Sequence, residues 1–253
     1  MSGVVVQPVR FTDNIEAMAS FLELLGLVRM VEAERGGWLV LAAGGGLVAL
    51  HAAATSDTGG KPGQTALSFE ADDLDTIAAA LEAAGVPEVT IYDEAYGRVL
   101  ICRDPLGDPC TVNEVMTDLY GYRSLAGSKP AAPRVLPVRF CDPAGPYGRF
   151  LQALGLVPRG AVNPYFTSYA ASGGEHGLVG LHYVFSDELP IVPGKGSVQL
   201  TFESAEPLAD ISARLSLAGF QPLIRTESFG DVLAVTDPDS QEVQVHTPPA
   251  AVS

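Results

Sequence analysis

The 253-residue sequence predicts an α+β fold assembled from four copies of one small unit, and three observations carry that expectation. The chain repeats itself at offsets of 129 to 133 residues. Each half runs twice through the order strand, helix, three strands. Helices are too sparse between the strands for a doubly wound parallel sheet, which leaves mainly antiparallel or mixed sheets.

The duplication is read in paired segments. 6-VQPVRFTD-13 returns as 135-VLPVRFCD-142, and 21-FLELLGLV-28 as 150-FLQALGLV-157. 46-GLVALHAAA-54 returns as 177-GLVGLHYVF-185, and 63-GQTALSFEADDL-74 as 196-GSVQLTFESAEPL-208. 94-EAYGRVL-100 pairs with 227-ESFGDVL-233, and 104-DPLGDPCTVN-113 with 237-DPDSQEVQVH-246. Two domains follow, 1–122 and 135–253, joined by 123-RSLAGSKPAAPR-134, whose composition suits an exposed linker. The four units span 1–52, 63–116, 135–186 and 196–247.

The elements follow in order. The strand VVVQPVRF leads through Asp13, a plausible N-cap, into a helix whose Ile15, Met18, Phe21, Leu22 and Leu25 share one face. Gly26 ends that helix as a C-cap glycine would. WLVLAA and GLVALHAA read as strands. The order restarts with TALSFE, a helix in 72-DDLDTIAAALEAAG-85 stopped by Gly85, then VTIYD, GRVLICRD and PCTVNEV. Pro8 and Pro137 lack an N–H, which places the first strand of each half at an edge or a bulge.

Composition narrows the classes of function. Hydrophobic residues make up 47% and charged residues 18%, the proportions of a packed globular protein. No run of about 18 apolar residues occurs, and the N-terminus lacks the pattern of a signal peptide, so a soluble cytoplasmic protein without a membrane partner is expected. The net charge is −15, with 7 basic and 18 acidic residues in 1–125 (net −11) and 8 and 12 in 126–253 (net −4). Such a field repels nucleic acid and favours a cationic small molecule. Cys102, Cys110 and Cys141 form no CxxC pair and read as buried small hydrophobes. Phosphate-binding and nucleophile-elbow motifs do not occur; the glycine runs 44–46 and 59–60 join strands.

The F-x-x-x-L-G-L helix ends at Phe21–Leu27 and Phe150–Leu156, the strand entries Arg10–Asp13 and Arg139–Asp142, and the D-P turns at Asp104 and Asp237 together resemble the vicinal oxygen chelate (VOC) superfamily. That group includes glyoxalase I, extradiol dioxygenases and bleomycin-resistance proteins. The resemblance spans almost the whole chain. It implies βαβββ modules that pair into cups, hence two tandem glyoxalase-like domains with cupped mixed sheets. In the metal-dependent members, His, Gln or Glu ligands stand on the first and last strand of each module. The matching positions here are Val6, Ala49, Gln64 and Thr111, then Val135, Gly180, Ser197 and Gln244. Val, Ala and Gly offer a metal no lone pair, so neither cup keeps a conventional ligand set.

A shift of two along the strands keeps a side chain on the same face and brings His51, Asn113, His182 and His246 inward. Beside Ala49 and Gly180 the two strand-end histidines would have space for a ligand. Their plainer reading is a ring bonded to a backbone carbonyl. Gln244 and His246, with His182 and Glu242, form a thin metal-site alternative in the second cup; His176 reads as solvated in a glycine-rich turn. Trp38, the only tryptophan, and Tyr165, Phe166 and Tyr169 are suited to stacking on flat ligands. Tyr92, Asp93, Glu94 and Tyr96, with Arg225, Glu227 and Phe229, are placed to rim the cups.

The expected function is metal-independent binding or sequestration of a small, possibly cationic or aromatic molecule, as in the bleomycin-resistance branch, at His51, Gln64, Asn113, Trp38, His182, Gln244, His246, Tyr165 and Tyr169. The alternatives are a metal-dependent glyoxalase-, isomerase- or dioxygenase-type enzyme with a divalent ion in the C-terminal cup, and a scaffold with degenerate sites. Four modules in one chain allow a monomeric pseudo-dimer or a homodimer.

Overall fold

The computed structural model describes residues 3–56, 58–94, 97–116, 119–125, 127–183 and 198–249. Tyr96 and Ser197, both singled out above, lie outside the described residues.

Strand, helix and three strands recur four times. The first unit has Val9–Thr12, helix α1 (Ile15–Leu24), Val28–Ala33, Trp38–Ala42 and Leu47–Ala52; the second has Ser68–Ala71, α2 (Leu74–Ala83), Thr90–Glu94, Gly97–Arg103 and Pro109–Glu114. The third has Val138–Phe140, α3 (Tyr147–Ala153), Val157–Pro158, Phe166–Ala170 and Leu178–His182; the fourth has Thr201–Glu203, α4 (Leu208–Leu217), Leu223–Glu227, Gly230–Thr236 and Glu242–His246. In every unit the first strand lies parallel to the fourth, and the other neighbours are antiparallel.

The helices stop for one shared reason. Gly26, Gly85, Gly155 and Gly219 adopt φ of +101°, +76°, +90° and +92°, a region that costs a side chain but not glycine. The residue after each glycine donates back into the last turn, as in Leu27 N to Leu22 O (3.1 Å) and Phe220 N to Leu215 O (3.1 Å). At the other end of α1 the cap is Asn14, whose side chain accepts from Ala17 N, and not Asp13. The amide one residue later reaches the third helical N–H, from which the aspartate stands one residue too far back.

Pro8 and Pro137 follow edge strands, as expected: Val5–Val6 and Arg134–Val135 each lie at the edge of a sheet, while the strands after the prolines, Val9–Thr12 and Val138–Phe140, are interior strands of the next sheet. The strand before Pro8 pairs with Phe69–Glu70, and the strand after it pairs with Thr65–Ala66 and Ala49–Ala52. One antiparallel register, Val5 opposite Glu70 through Arg10 opposite Thr65, runs through the break, so each proline marks a change of sheet where its N–H is not needed. Pro137 does the same between Arg134–Val135 and Val138–Phe140. Each half is therefore one curved, unclosed surface of two sheets joined through their first strands.

The halves do not have separate cores. A single apolar cluster includes Phe21, Leu22, Leu41 and Phe69 from the first half with Phe150, Leu151, Phe202 and Leu215 from the second, and α1 meets α4 while α2 meets α3. The repeated R-F and D-P motifs lock this junction. Asp104 holds its own turn with Oδ1, accepting from Leu106 N and Asp108 N at 2.9 Å each, and gives Oδ2 to Arg139 (2.7 Å) and the Tyr147 hydroxyl (2.8 Å). Asp237 does the same in mirror image, closing its turn on Asp239 N and Gln241 N and pairing with Arg10. All four charged groups are buried, so each ion pair is desolvated and its partners are mutually required.

The described residues of the join at 123–134 are exposed or half-buried apart from Pro133, and both of its ends are tied into the fold. Tyr122–Ser124 adds a strand beside Val31–Ala33, Pro133 O accepts from Gly44 N (2.7 Å), and Arg134–Val135 begins the third unit's sheet. His176 is half-buried in this region, its carbonyl accepting from Val6 N (2.8 Å), and is not solvated as its turn suggested. All three cysteines are free and buried. Among the described residues, no helix is long and apolar enough to cross a membrane.

Candidate ligand-binding cups

Strand alternation divides each curved surface into a face against the helices and a concave face. In the first cup, register places Val31, Val40, Ala49, Val9 and Ala66 in one concave row. The next row holds Trp38, His51, Phe11 and, through the Phe11 N to Gln64 O bond (2.9 Å), Gln64. This is an apolar wall: Val9, Phe11, Val40 and Ala49 form a packed cluster of their own, separate from the main core, with Val31, Trp38 and Ala66 against it. The His51 ring packs edge-on to Trp38 (centroids 5.6 Å, 85°) and tilted to Phe11 (5.7 Å), while its Nδ1 lies 2.9 Å from Ala52 O.

The second module supplies a polar wall to the same cup. Thr111 stands beside Ser68, and Asn113 beside Glu70. The Thr111 hydroxyl donates to Ser68 Oγ (2.8 Å). Gln7, buried on the joining strand, accepts from Asn113 Nδ2 (3.0 Å) and donates to Glu70 Oε2 (3.4 Å). Glu70 makes no ion pair among the described residues. Burial raises its carboxyl to about 7, the Gln7 hydrogen bond opposes that rise, and neighbouring Asp72 adds to it.

The second cup carries the same layout with different chemistry. Its aromatic row is Phe166, His182 and Phe140, with ring centroids 6.1 Å and 5.6 Å from the histidine, whose Nδ1 lies 2.6 Å from Tyr183 O. The opposite wall holds Glu203 beside His246, and Gln244 beside Thr201. Glu203 is buried between two arginines, Arg134 (3.3 Å) and Arg159 (2.8 Å). Arg159 belongs to the concave row with Ser168, Gly180 and Val138, so its side chain links one module to the other. Burial lowers the His246 pKa, opposed by Glu203, and Phe229 lies 5.9 Å from its ring.

Several sequence-derived site residues are thus gathered and others are not. Trp38, His51 and Gln64 share one row, although Gln64 Oε1 is engaged by Lys61 N (3.1 Å). Asn113 stands on the facing module. Both strand-end histidines bond a neighbouring carbonyl, the plainer of their two readings. The space expected beside Gly180 is filled: a Cβ there would lie 2.9 Å from Phe166 Cε2 and 3.0 Å from Val138 Cγ2. Ala49 is likewise fully buried. Tyr169 is corrected outright, since it lies in the main core and its hydroxyl packs on Gly148 of α3. Tyr165 is exposed just before its strand, with its N–H on Asn163 Oδ1 (2.8 Å).

The metal alternative at His182, His246 and Glu242 is not brought together. His182 is level with Phe140, and His246 with Glu203 and hence Arg134. Six residues of extended chain, about 20 Å, separate those levels. Glu242 is engaged by Arg225 (3.3 Å) and by Gln244 Nε2 (2.6 Å). Val6 and Val135, two of the positions matched above to the ligand positions that the resemblance implies, face the core. No group of three or more His, Cys, Asp or Glu suited to a metal occurs among the described residues. In the first cup one carboxylate stands with two amides, and in the second the carboxylate is taken by two guanidinium groups. These donor sets do not fit a divalent metal centre.

Glu70 and Glu203 were not singled out in the sequence, although a signal existed. They occupy equivalent places in the paired segments ALSFEA and QLTFES, and alternation from Gln64 puts Glu70 on the concave face.

No protein-family model matches the chain, and no curated protein matches it. Solved structures do. A catechol 2,3-dioxygenase superposes with a TM-score of 0.62 at 16% identity, covering 98% of this chain and 90% of its own. The Mn(II)-bound glyoxalase from Novosphingobium aromaticivorans gives 0.61 at 15% identity, covering 100% and 90%. The 2,2',3-trihydroxybiphenyl 1,2-dioxygenase from Sphingomonas wittichii strain RW1 gives 0.61 at 17%, covering 98% and 91%. At these identities the likeness concerns architecture alone, and it extends over essentially the whole chain: the protein has the fold of the vicinal oxygen chelate superfamily.

Proposed function

We propose that the protein binds a small organic molecule in its first cup through its own side chains, without a metal ion. The observation that carries this reading is the pairing of unlike walls: Trp38, Phe11 and Val40 on one module, and Glu70, Asn113, Ser68 and Thr111 on the other. Such a cup takes a ligand with an apolar body and a hydrogen-bonding end. Glu70, raised to about 7, also holds or releases a proton near neutral pH, the property required of a general acid or base. Antibiotic sequestration is not carried forward, because the similar structures are titled as dioxygenases and a glyoxalase.

The Mn(II)-bound glyoxalase supports a second reading, a metal-dependent enzyme of the same fold. Two measurements separate the two. Trp38 is the only tryptophan and sits in the first cup, so its fluorescence reports occupancy there directly. A library of small aromatic and amphiphilic compounds is expected to yield ligands that quench or shift this emission in protein stripped with chelator. Elemental analysis is expected to find no stoichiometric metal; a full equivalent of Mn, Fe, Ni or Zn, together with ligand binding that disappears on chelation, would replace the first reading by the second.

A further inference from the structure

Among the described residues, the polar wall of the first cup carries unengaged acceptors beside its carboxylate and no cation. Asn113 donates its N–H to Gln7, and Gln7 donates to Glu70 Oε2, which leaves Asn113 Oδ1 and Glu70 Oε1 without a hydrogen bond among the described residues. The two residues are direct neighbours on parallel strands, and the same cross-strand row continues through Val99 to the half-exposed Tyr92. Asp72, two residues beyond Glu70 on the same alternating face, is exposed. At the equivalent place in the second cup, the carboxylate already has cations from its own chain, Arg134 and Arg159. In the first cup the residues at those places are Val5, opposite Glu70, and Val31, in the row with Ala49.

We infer that this subsite takes an organic ammonium group, held by the Glu70 carboxylate and the Asn113 carbonyl, with the ligand's apolar body toward Trp38 and Phe11. The inference rests on the first-cup reading and names the chemistry of its ligand. An ammonium donates to both free acceptors and supplies the charge this carboxylate lacks. An anion meets Glu70 and Asp72. A hard divalent ion requires several more oxygens and leaves the apolar wall unused. Burial, with Asp72 adding to it, raises the Glu70 carboxyl to about 7, and a bound cation returns it toward the ionised form, so affinity and protonation are linked.

The test uses three matched probes, 2-phenylethylamine, 2-phenylethanol and phenylacetate, titrated against the full chain with Trp38 emission and calorimetry as readouts. At pH 8 the amine is expected to bind at least tenfold more tightly than the alcohol, with phenylacetate weaker still. Its affinity should fall about tenfold per pH unit once the pH drops below the Glu70 transition. Glu70→Gln is expected to remove the preference for the amine, and Glu70→Asp, which keeps the charge, to restore part of it; circular dichroism establishes that each variant is folded. Equal binding of amine and alcohol, unchanged in Glu70→Gln, overturns the ammonium assignment and leaves the cup reading standing. Magnesium chloride raising the melting temperature as far as the amine does overturns it in favour of an inorganic cation. No Trp38 response to any of the three at millimolar concentration overturns the assignment and the cup reading together.

Discussion

The two cups are copies of one surface that have diverged at a few matched positions. A glutamate stands at the same place in each, Glu70 and Glu203. Around it Gln7 becomes Leu136, Asn113 becomes His246, Val5 becomes Arg134, and Val31 gives way to Arg159. The second carboxylate is neutralised from within the chain, and one of its arginines ties the two modules together. The first has only amides for company. Burial is tolerated at Glu203 because the charge is paired there, and it is expressed at Glu70 as a raised pKa because the charge is not. The difference teaches that a conserved architecture fixes where a polar group stands, while its neighbours decide whether that group is structural or available.

The same substitution should therefore act with opposite sign in the two cups, and this is the largest effect expected. Burial lifts the Glu70 carboxyl from an ordinary 4.5 to about 7, so the folded state favours the neutral form. That contribution is complete below the unfolded value and is lost as the pH rises through about 7, which makes the ionised Glu70 a burden of about 3 kcal/mol at pH 8. Glu70→Gln is expected to stabilise the ligand-free protein at pH 8 by up to about 3 kcal/mol and to flatten its stability between pH 5 and 8. Glu203→Gln should instead lose about 2 kcal/mol, since it leaves two arginines without their buried partner. Urea denaturation at several pH values measures both; two changes of the same sign would end the comparison.

Two further substitutions sharpen it. Arg159→Val places in the second cup the residue type found in that row of the first. It should cost about 2 kcal/mol by urea denaturation, by leaving Glu203 to the longer Arg134 contact. Gly180→Ala makes the second cup like the first at Ala49. There a Cβ meets Phe166 and Val138 below ordinary contact distance, so a loss of about 1–2 kcal/mol is expected. Adding Phe166→Leu should recover part of it. A neutral Gly180→Ala would mean that Phe166 moves freely and that the second cup has space after all.

The architecture was readable because it repeats: the L-G-L helix ends, the D-P turns and the R-F strands each occur at matched places, and each has one physical job. Less readable was where those jobs are done. The arginines and aspartates, read singly, are strand entries and turns, yet each pairs with a residue of the other half, a contact no local pattern encodes. Alternation placed Asn113, His51 and Trp38 on the concave face. It could not reveal that Phe166 fills the space over Gly180, that Tyr169 turns toward α3, or that Glu242 and His182 stand far from His246. The two glutamates belong to no motif of their own; their informative feature is a carboxylate that keeps its cationic partners in one copy and lacks them in the other.

The smallest effect concerns the histidine pair. Each ring lies between two aromatic side chains and bonds the carbonyl of the next residue, His51 with Phe11, Trp38 and Ala52 O, and His182 with Phe140, Phe166 and Tyr183 O. Such a ring contributes packing and one neutral hydrogen bond, about 1 kcal/mol for the bond. His51→Phe and His182→Phe keep the packing and remove only the bond, so each should cost about 1 kcal/mol or less by urea denaturation. The two differ in one respect. His51 touches Trp38, so His51→Phe is expected to shift the emission of the ligand-free protein and weaken first-cup ligands by a few-fold through the altered wall, whereas His182→Phe should leave both unchanged. Loss of first-cup binding by more than tenfold in His51→Phe would make that ring a direct ligand contact in place of a wall residue.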